Sequence, residues 1–240
     1  MKLLISLTSL DHIYPSYGIV LGYEKYTFFA SYIARKEELK NIKEKDKIYL
    51  LLNAMLHQKD VEDFKNTVKE LIDLGYQNYI VQDLGMVDVL KSLKAKEIIF
   101  NPYTLVCNQQ EYQTYVDYLG VTIGISNELS IEEKAQYQDN SFIQIYGFTP
   151  IYQSYRKTLS IYEESHHKKL ESKDLYVKEN TRDDLHHIIE NDYGTVIFRS
   201  EKINLIKDIK SLNKAKYLYI DSLYSSNEEI DEFIKELENE

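Results

Sequence analysis

The fold is decided by residues 48–101, IYLLLNAMLHQKDVEDFKNTVKELIDLGYQNYIVQDLGMVDVLKSLKAKEIIFN, in which short apolar runs alternate with helical patterns. The runs IYLLL, YIV and EIIF are each followed by polar residues: Asn53 after the first, Gln82 and Asp83 after the second, and Asn101 after the third. A run that is apolar throughout is typical of a strand buried on both faces, as in a parallel sheet covered by helices.

The same pattern continues on both sides of this stretch. Downstream, TIGI leads to Ser126, Asn127 and Glu128, FIQIY leads to Gly147, and KYLYID is a further strand near residue 217. Upstream, LLISL and YGIVLG are the first two runs. Eight strands separated by helices predict an α/β protein with a TIM-like (β/α) barrel, either closed or incomplete.

The segments between the runs carry helix signals. One apolar stripe is ended by Gly75 and consists of Val61, Phe64, Val68, Leu71 and Ile72. Helices are also expected at 85–94, at 108–119 before Gly120, after the capping box of Ser130 and Glu133, and at 226–238. The charged segment 36–47 is expected to be a solvated helix or loop.

The pattern changes after residue 150. Residues 163–174 are polar and predict a surface linker, and LYVKE, LHHIIEN and GTVIFRS predict short antiparallel strands. An amphipathic helix is expected at 203–212. We therefore expect one barrel domain over residues 1–240, interrupted by a small antiparallel hairpin excursion near residues 165–200.

Composition limits the classes of function. The chain has 29 Lys and Arg against 39 Asp and Glu, so its net charge of −10 argues against a general nucleic-acid binder, although a local basic patch is compatible with it. No run approaches the length of a membrane span, and the N-terminus lacks the pattern of a signal peptide, so a cytoplasmic protein is expected.

The residues that commonly bind metals are sparse. The one cysteine, Cys107, cannot by itself hold an iron–sulfur cluster or a structural zinc ion, and we expect it to be a core residue on the first turn of a helix. No third ligand lies at a spacing from His166 and His167 that is typical of a metal site. No metal site is therefore predicted.

The polar residues after the strands are the candidate site, because parallel strands in a barrel bring their carboxyl ends to one mouth. We expect Asn53, Gln82, Asp83, Asn101 and Glu128 to converge there. This set is rich in amides, which suits hydrogen bonding to a small polar ligand or a base edge better than nucleophilic catalysis.

Alternatives exist for several of these residues. Asp83 and Asn101 could instead cap the helices that follow them. Glu128 precedes a helix that Ser130 already caps, so capping explains Glu128 less well. Glu128 and Asp83 are the two candidate catalytic carboxylates. Arg156 is expected either to hold an anion in a basic loop above the mouth or to lie on a surface loop without a ligand. No G-x-S-x-G, H-E-x-x-H or glycine-rich phosphate loop occurs.

Five ordered motifs also resemble the U32 peptidase family of collagenase-like proteins. They are LLLNAM, IVQDLGMVDVL, NPYTLVCN, LGVTIGISNELSIEE and GFTPIYQSYRKTLSIY, and they cover about residues 48–162. KEN-x-R and YGTVIF resemble the next family segment more loosely. The resemblance implies a TIM-like barrel and a peptidase label. It also implies a relation to members that hydroxylate a tRNA wobble uridine, a ribosomal RNA cytidine or a ubiquinone precursor, generally with an iron–sulfur cluster bound by cysteines.

The chain departs from that family at positions tied to the cluster. Pro150 and Lys157 stand where cluster-bearing members have cysteines, and Tyr146 stands where they have the histidine of His-Gly. The positions that match are candidate pocket residues: Asn53, Gln82, Asp83, Asn101, Asn108, Glu128 and Arg156.

These matches and losses support three functional hypotheses. The first is a cluster-free subunit or accessory factor in RNA modification, tRNA wobble-uridine hydroxylation in particular. It would bind no cofactor alone and would act beside a paralogous subunit, or a second copy of itself, with tRNA reached through the complex and any iron–sulfur cluster on the partner. The other hypotheses are a peptidase and a non-catalytic binding protein.

Overall fold

A computed structural model of the chain describes residues 2–137, 139–170 and 175–239. The strands are β1 (Lys2–Ser6), β2 (Gly18–Tyr23), β3 (Ile33–Ala34), β4 (Ile48–Leu52), β5 (Asn78–Val81), β6 (Glu97–Phe100), β7 (Thr122–Gly124), β8 (Ser141–Gly147), β9 (Pro150–Ser154), β10 (Leu175–Lys178), β11 (Leu185–Asn191), β12 (Gly194–Phe198), β13 (Ile203–Asn204) and β14 (Tyr217–Ile220). The α-helices are α1 (Lys36–Asn41), α2 (Val61–Asp73), α3 (Leu84–Ser92), α4 (Gln109–Leu119), α5 (Ile131–Lys134), α6 (Thr158–His166) and α7 (Asn227–Asn239). Among the described residues, 3₁₀ segments lie at Lys45–Lys47, Gln58–Asp60 and Ile206–Leu212.

Eight of the strands form a closed parallel barrel in the order β1, β2, β4, β5, β6, β7, β8 and β14. The barrel closes because β1 pairs with both β2 and β14, so that Leu4 is in register with Gly18 on one side and with Tyr219 on the other. The predicted barrel is therefore confirmed and it is closed. All eight strands correspond to the apolar runs of the sequence.

The alternation of side chains along the strands gives the barrel two apolar layers. One buried cluster fills the barrel interior and consists of Leu4, Val20, Tyr49, Leu51, Ile80, Ile99, Phe142, Tyr217 and Tyr219. The neighbouring positions belong to a larger cluster between the strands and the helices, in which Phe64, Val68 and Leu71 of α2 are buried. This second layer explains why the strands are apolar on both faces.

A second sheet of four antiparallel strands, in the order β10, β11, β12 and β9, lies outside the barrel. It packs against loops that follow barrel strands, through a buried cluster of Phe28, Phe29, Phe148, Val196, Phe198 and Leu223. The antiparallel excursion is therefore confirmed, but it also includes β9, a strand that the sequence pattern does not predict. Pro150–Ser154 becomes a strand because it pairs with β12, more than 40 residues away in the chain.

Three local predictions are wrong. Helix α6 extends to His166, so the segment from 163 is helical at its start, and residues 171–174 lie outside the described residues. Cys107 is exposed and precedes α4, because Asn108 is the cap at which that helix begins. The segment 203–212 is a two-residue strand followed by a 3₁₀ helix rather than an α-helix.

Within the described residues, none of the helices combines the length and the apolar character that crossing a bilayer requires.

Candidate functional site

A layer of buried polar side chains lies above the apolar interior, at the carboxyl ends of the barrel strands. The side chains of this layer point into the barrel, as the apolar residues two positions earlier in most of the same strands do. Its members are Ser6, Asn53, Asn101, Ser126, Gln144 and Asp221. Buried polar groups are costly unless they are hydrogen-bonded. Hydrogen bonds must therefore compensate for the burial of this layer.

Asp221 is the carboxylate of this layer, and it is 7% exposed. Its Oδ1 accepts hydrogen bonds from the Leu223 N–H at 3.0 Å and from the Ser6 hydroxyl at 3.3 Å. Burial raises the pKa of Asp221 to about 6, against the opposing effect of hydrogen bonds from Leu223, Ser6 and Tyr219. Each of these stabilising groups is neutral, so the carboxyl can change its charge close to neutral pH.

The backbone fits closely around Asp221. Gly147 at the end of β8 has φ +107°, and a Cβ there would lie 2.3 Å from the Asp221 carbonyl oxygen. The Ser222 hydroxyl donates to the Ser6 carbonyl at 2.7 Å, which ties the ends of β14 and β1 together. Only glycine satisfies both the conformation and the contact at position 147.

Asn53 and Asn101 organise the mouth rather than facing open solvent. Asn53 Oδ1 accepts from the Phe28 N–H at 2.8 Å, and Asn53 Nδ2 donates to the Phe29 carbonyl and to the Tyr103 hydroxyl, both at 3.0 Å. Asn101 Oδ1 accepts from the Tyr103 N–H at 3.3 Å. Both amides therefore fix Tyr103, whose backbone has φ +59° and whose phenol pKa is raised by burial.

Asp83 and Asn108 occupy helix N-caps. Asp83 Oδ1 accepts from the Gly85 N–H at 2.7 Å at the start of α3, and its Oδ2 accepts from the Leu56 N–H at 3.2 Å. Asn108 is exposed and accepts from the Glu111 N–H at 2.8 Å at the start of α4. The capping alternative thus describes the geometry of Asp83, whereas Asn101 does not cap α4.

Glu128 belongs to a charged group on the rim between β7 and β8. Its Oε1 lies 2.7 Å from Arg199 Nη2. Lys134 is buried nearby, and burial together with Arg199 lowers its pKa to about 8. Asn127 Oδ1, Thr149 Oγ1 and Arg199 Nε are buried without a hydrogen-bond partner among the described residues.

A cleft of about 300 Å³ opens beside the buried layer, between the loop after β6 and strand β9. Its lining combines tyrosine rings, amides and apolar groups: Met55, Gln82, Pro102, Tyr103, Thr104, Leu105, Pro150, Ile151, Tyr152 and Gln153. Gln153 Nε2 is buried there without a partner among the described residues. A planar ligand with a hydrogen-bonding edge matches this lining.

The predicted residues are thus distributed around the mouth. Gln82 lines the cleft, while Asn53 and Asn101 are hydrogen-bonded to Tyr103, which also lines it. Glu128 is on the rim with Arg199, and Asn108 and Arg156 are exposed and do not line the cleft.

Several residues of the site were not identified from the sequence. Asp221 directly follows β14, so the signal used for the middle strands was present there too, whereas Ser6 is the last residue of β1 and lies inside its apolar run. Tyr103, Gln153, Lys134 and Arg199 had no such signal, because the chain brings them to the mouth through distant pairings.

Across 2–137, 139–170 and 175–239, no group of three or more His, Cys, Asp and Glu side chains is arranged to hold a metal ion.

Comparisons with known proteins give two matches. The family model described as peptidase family U32 matches residues 20–236. A solved structure titled "The Structure of the U32 Peptidase Mk0906" superposes with a TM-score of 0.58 at 13% sequence identity, covering 91% of each chain. At that identity the likeness extends to the fold alone. No curated protein matches the chain.

Proposed function

The chain belongs to peptidase family U32, and from that premise we propose that it is a subunit or accessory factor in RNA modification whose barrel mouth binds a nucleobase. The reaction proposed is tRNA wobble-uridine hydroxylation, as the sequence resemblance implies. The observation that carries the proposal is the cleft between Tyr103 and Gln153.

The cleft offers what recognition of an unstacked base requires. Proteins that read single-stranded RNA stack bases on aromatic rings and hydrogen-bond to their edges. Tyr103 and Tyr152 supply the rings, and Gln82 and Gln153 supply amides that can both donate and accept. The unpartnered Gln153 Nε2 is a donor for a carbonyl oxygen such as those of uracil.

Groups beside the cleft fit the flanking nucleotides. His57 and Tyr155 stack with their ring centroids 4.1 Å apart. Arg156 is exposed next to Tyr155 and can contact a phosphate. Because the chain has a net charge of −10, binding of tRNA is proposed to occur within a complex rather than by this chain alone.

The proposed partner is a paralogous U32-family subunit or a second copy of the chain, and it would carry any iron–sulfur cluster. Exposed apolar and aromatic side chains between residues 151 and 162 are the proposed contact surface: Ile151, Tyr155, Ile161 and Tyr162. Exposed aromatic clusters of this kind are typical of interface cores.

Mass spectrometry of tRNA nucleosides from a deletion strain tests the proposal. Loss of a hydroxylated uridine on deletion, restored by the wild-type gene but not by Gln82→Leu with Gln153→Leu, is the expected result. The matched control, Gln109→Leu with Gln110→Leu, changes two exposed amides at the start of α4 and should restore the nucleoside. An unchanged nucleoside profile on deletion would contradict the proposal and would leave a non-catalytic binding protein as the remaining hypothesis.

The peptidase alternative is favoured by the family description and by the two carboxyls at the mouth, Asp221 and Glu128. Gelatin and peptide cleavage by the purified chain, abolished by Glu128→Gln or Asp221→Asn in a folded protein, would establish it. Cleavage that persists in both variants indicates a contaminant, and we expect no cleavage above background.

A further inference from the structure

A second cleft, of about 870 Å³, lies at the opposite end of the barrel, where the strands begin. It is formed by the starts of β1, β2 and β4 together with the 3₁₀ segment near Ile209 and the end of α7. Its volume falls within the range of small-molecule sites. Neither the proposed function nor the barrel fold requires an opening at this end, where (β/α) barrels usually serve stability.

The inner surface of this cleft is apolar. Leu3 and Leu237, which are partly exposed, line it together with the buried Leu218, and Tyr49 belongs to the cluster that fills the barrel interior. The Tyr49 hydroxyl is 3.1 Å from that of Tyr217, so these two phenols satisfy one another. Apolar contact is therefore what this surface offers to a ligand.

The rim of the cleft is basic, although the chain as a whole is acidic. Four lysines contribute to the lining, at positions 2, 47, 96 and 210, against two carboxylates, Asp46 and Glu238. The Lys47 ammonium pairs with Glu44 at 2.7 Å. Glu238 also accepts a hydrogen bond from the Tyr17 hydroxyl at 2.7 Å. Lys2 and Lys96 are exposed, and their ammonium groups have no ion pair among the described residues. Two lysines without a described ion pair, Lys2 and Lys96, thus line the cleft of a chain whose net charge is −10.

We propose that this cleft binds a small amphipathic organic anion, with its apolar body against Leu3, Leu218 and Leu237 and its anionic head at Lys2 and Lys96. The head group is a carboxylate or a phosphate, because both pair with lysine ammonium groups. The site is separate from the nucleobase cleft and does not depend on it.

Anilinonaphthalene sulfonate, an aromatic sulfonate that fluoresces in apolar surroundings, is the probe. The full-length chain should bind it, and dodecanoate or dodecyl phosphate below the micelle concentration should displace it. Whichever of these two compounds displaces the dye more strongly identifies the head group as a carboxylate or a phosphate. Dodecyltrimethylammonium has the same tail with a cationic head and should displace it far less.

Charge variants test the rim. Lys2→Gln with Lys96→Gln should weaken dye binding by about fivefold, because two cations next to the head group are lost. Lys65→Gln with Lys69→Gln removes the same charge from α2 and should leave the affinity unchanged. Circular dichroism confirms that both variants are folded.

The location is tested by energy transfer, because the chain contains no tryptophan. Tryptophan fluorescence in Leu237→Trp should be quenched on dye binding much more than in Leu105→Trp, which places the donor at the barrel mouth. Tyr17→Trp serves the same purpose if Leu237→Trp does not fold. Equal displacement by the cationic competitor, an unaffected lysine variant, or stronger quenching in Leu105→Trp would overturn the proposal.

Discussion

At the scale of single residues, the mouth is built from groups whose partners come from other strands. Asp221 is bound by Ser6 from the first barrel strand, and Asn53 binds Tyr103 from the loop two strands away. A polar residue after a strand is visible in the sequence, but its partner is not. This is why Asn53 was identified from the sequence while Tyr103 was not.

Asp221 gives the folded chain a specific dependence on pH. Its pKa is raised from 3.8 to about 6, so the folded state holds this proton to higher pH than the unfolded state. Its stabilising contribution is present in full below about pH 4 and is lost as the pH rises through about 6. The unfolding free energy of Asp221→Asn minus that of wild type should therefore increase by about 2 kcal/mol between pH 4 and pH 8.

Urea denaturation of both proteins across that range measures this effect, and the difference between them cancels the contributions of other titrating groups. A difference that does not change with pH would show that Asp221 is not a buried carboxyl of raised pKa.

Asp83 tests capping against catalysis. Asp83→Ala removes the acceptor for the first turn of α3 and for Leu56, so we expect a loss of about 1–2 kcal/mol in unfolding free energy. Asp88→Ala, at an exposed position within the same helix, is the matched control and should cost little. Unchanged stability in Asp83→Ala would remove the capping role and strengthen its candidacy as a catalytic carboxylate.

At the scale of elements, the barrel strands were predictable because each is a local apolar run, and the start of α5 was predictable from its capping box. Strand β9 was not, because an exposed segment becomes a strand only through pairing with β12. Asp192 and Tyr193 form the turn that joins β11 to β12. Local signals therefore determined the barrel, and distant pairing determined the sheet beside its mouth.

Gly194 is the point at which that sheet is most constrained. It has φ +120°, and a Cβ would lie 1.9 Å from the Ser154 carbonyl oxygen on β9. Gly194→Ala should cost about 2 kcal/mol or more in unfolding free energy, from backbone strain and the displaced strand.

Gly120→Ala is its control. Gly120 also has a positive φ, of +64°, but nothing lies within 4 Å of the added Cβ. Gly120→Ala should lower the unfolding free energy by about 1 kcal/mol, because only the backbone strain of alanine at a positive φ contributes. Equal losses of unfolding free energy in the two variants, measured by urea denaturation, would show that the contact with β9 does not contribute to the cost.

At the scale of the whole molecule, the closed barrel provides two ends with different chemistry. The carboxyl end holds amides, tyrosines and carboxyls, and the amino end holds lysines around an apolar cleft. The sequence indicated part of the first end, because Asn53, Gln82 and Asn101 directly follow strands. It did not predict the second, because the lysines belong to segments far apart in the chain.

We also expect the purified chain to be colourless and to bind no stoichiometric iron or zinc, since one thiolate cannot provide the ligands of a cluster. Elemental analysis after chelator washing checks this, and about one retained metal ion per chain would contradict it. Because Cys107 is exposed, a metal shared between two chains is tested with Cys107→Ser.

The most direct measurement of the central claim is photocrosslinking of tRNA that carries 4-thiouridine at the wobble position to the chain within its native complex, followed by peptide mapping. Nucleobase binding at the mouth predicts crosslinks in 101–105 and 150–153, lost when Gln82→Leu and Gln153→Leu are combined. Crosslinks that map instead to the amino end of the barrel, or that are unaffected by that double variant, would contradict it.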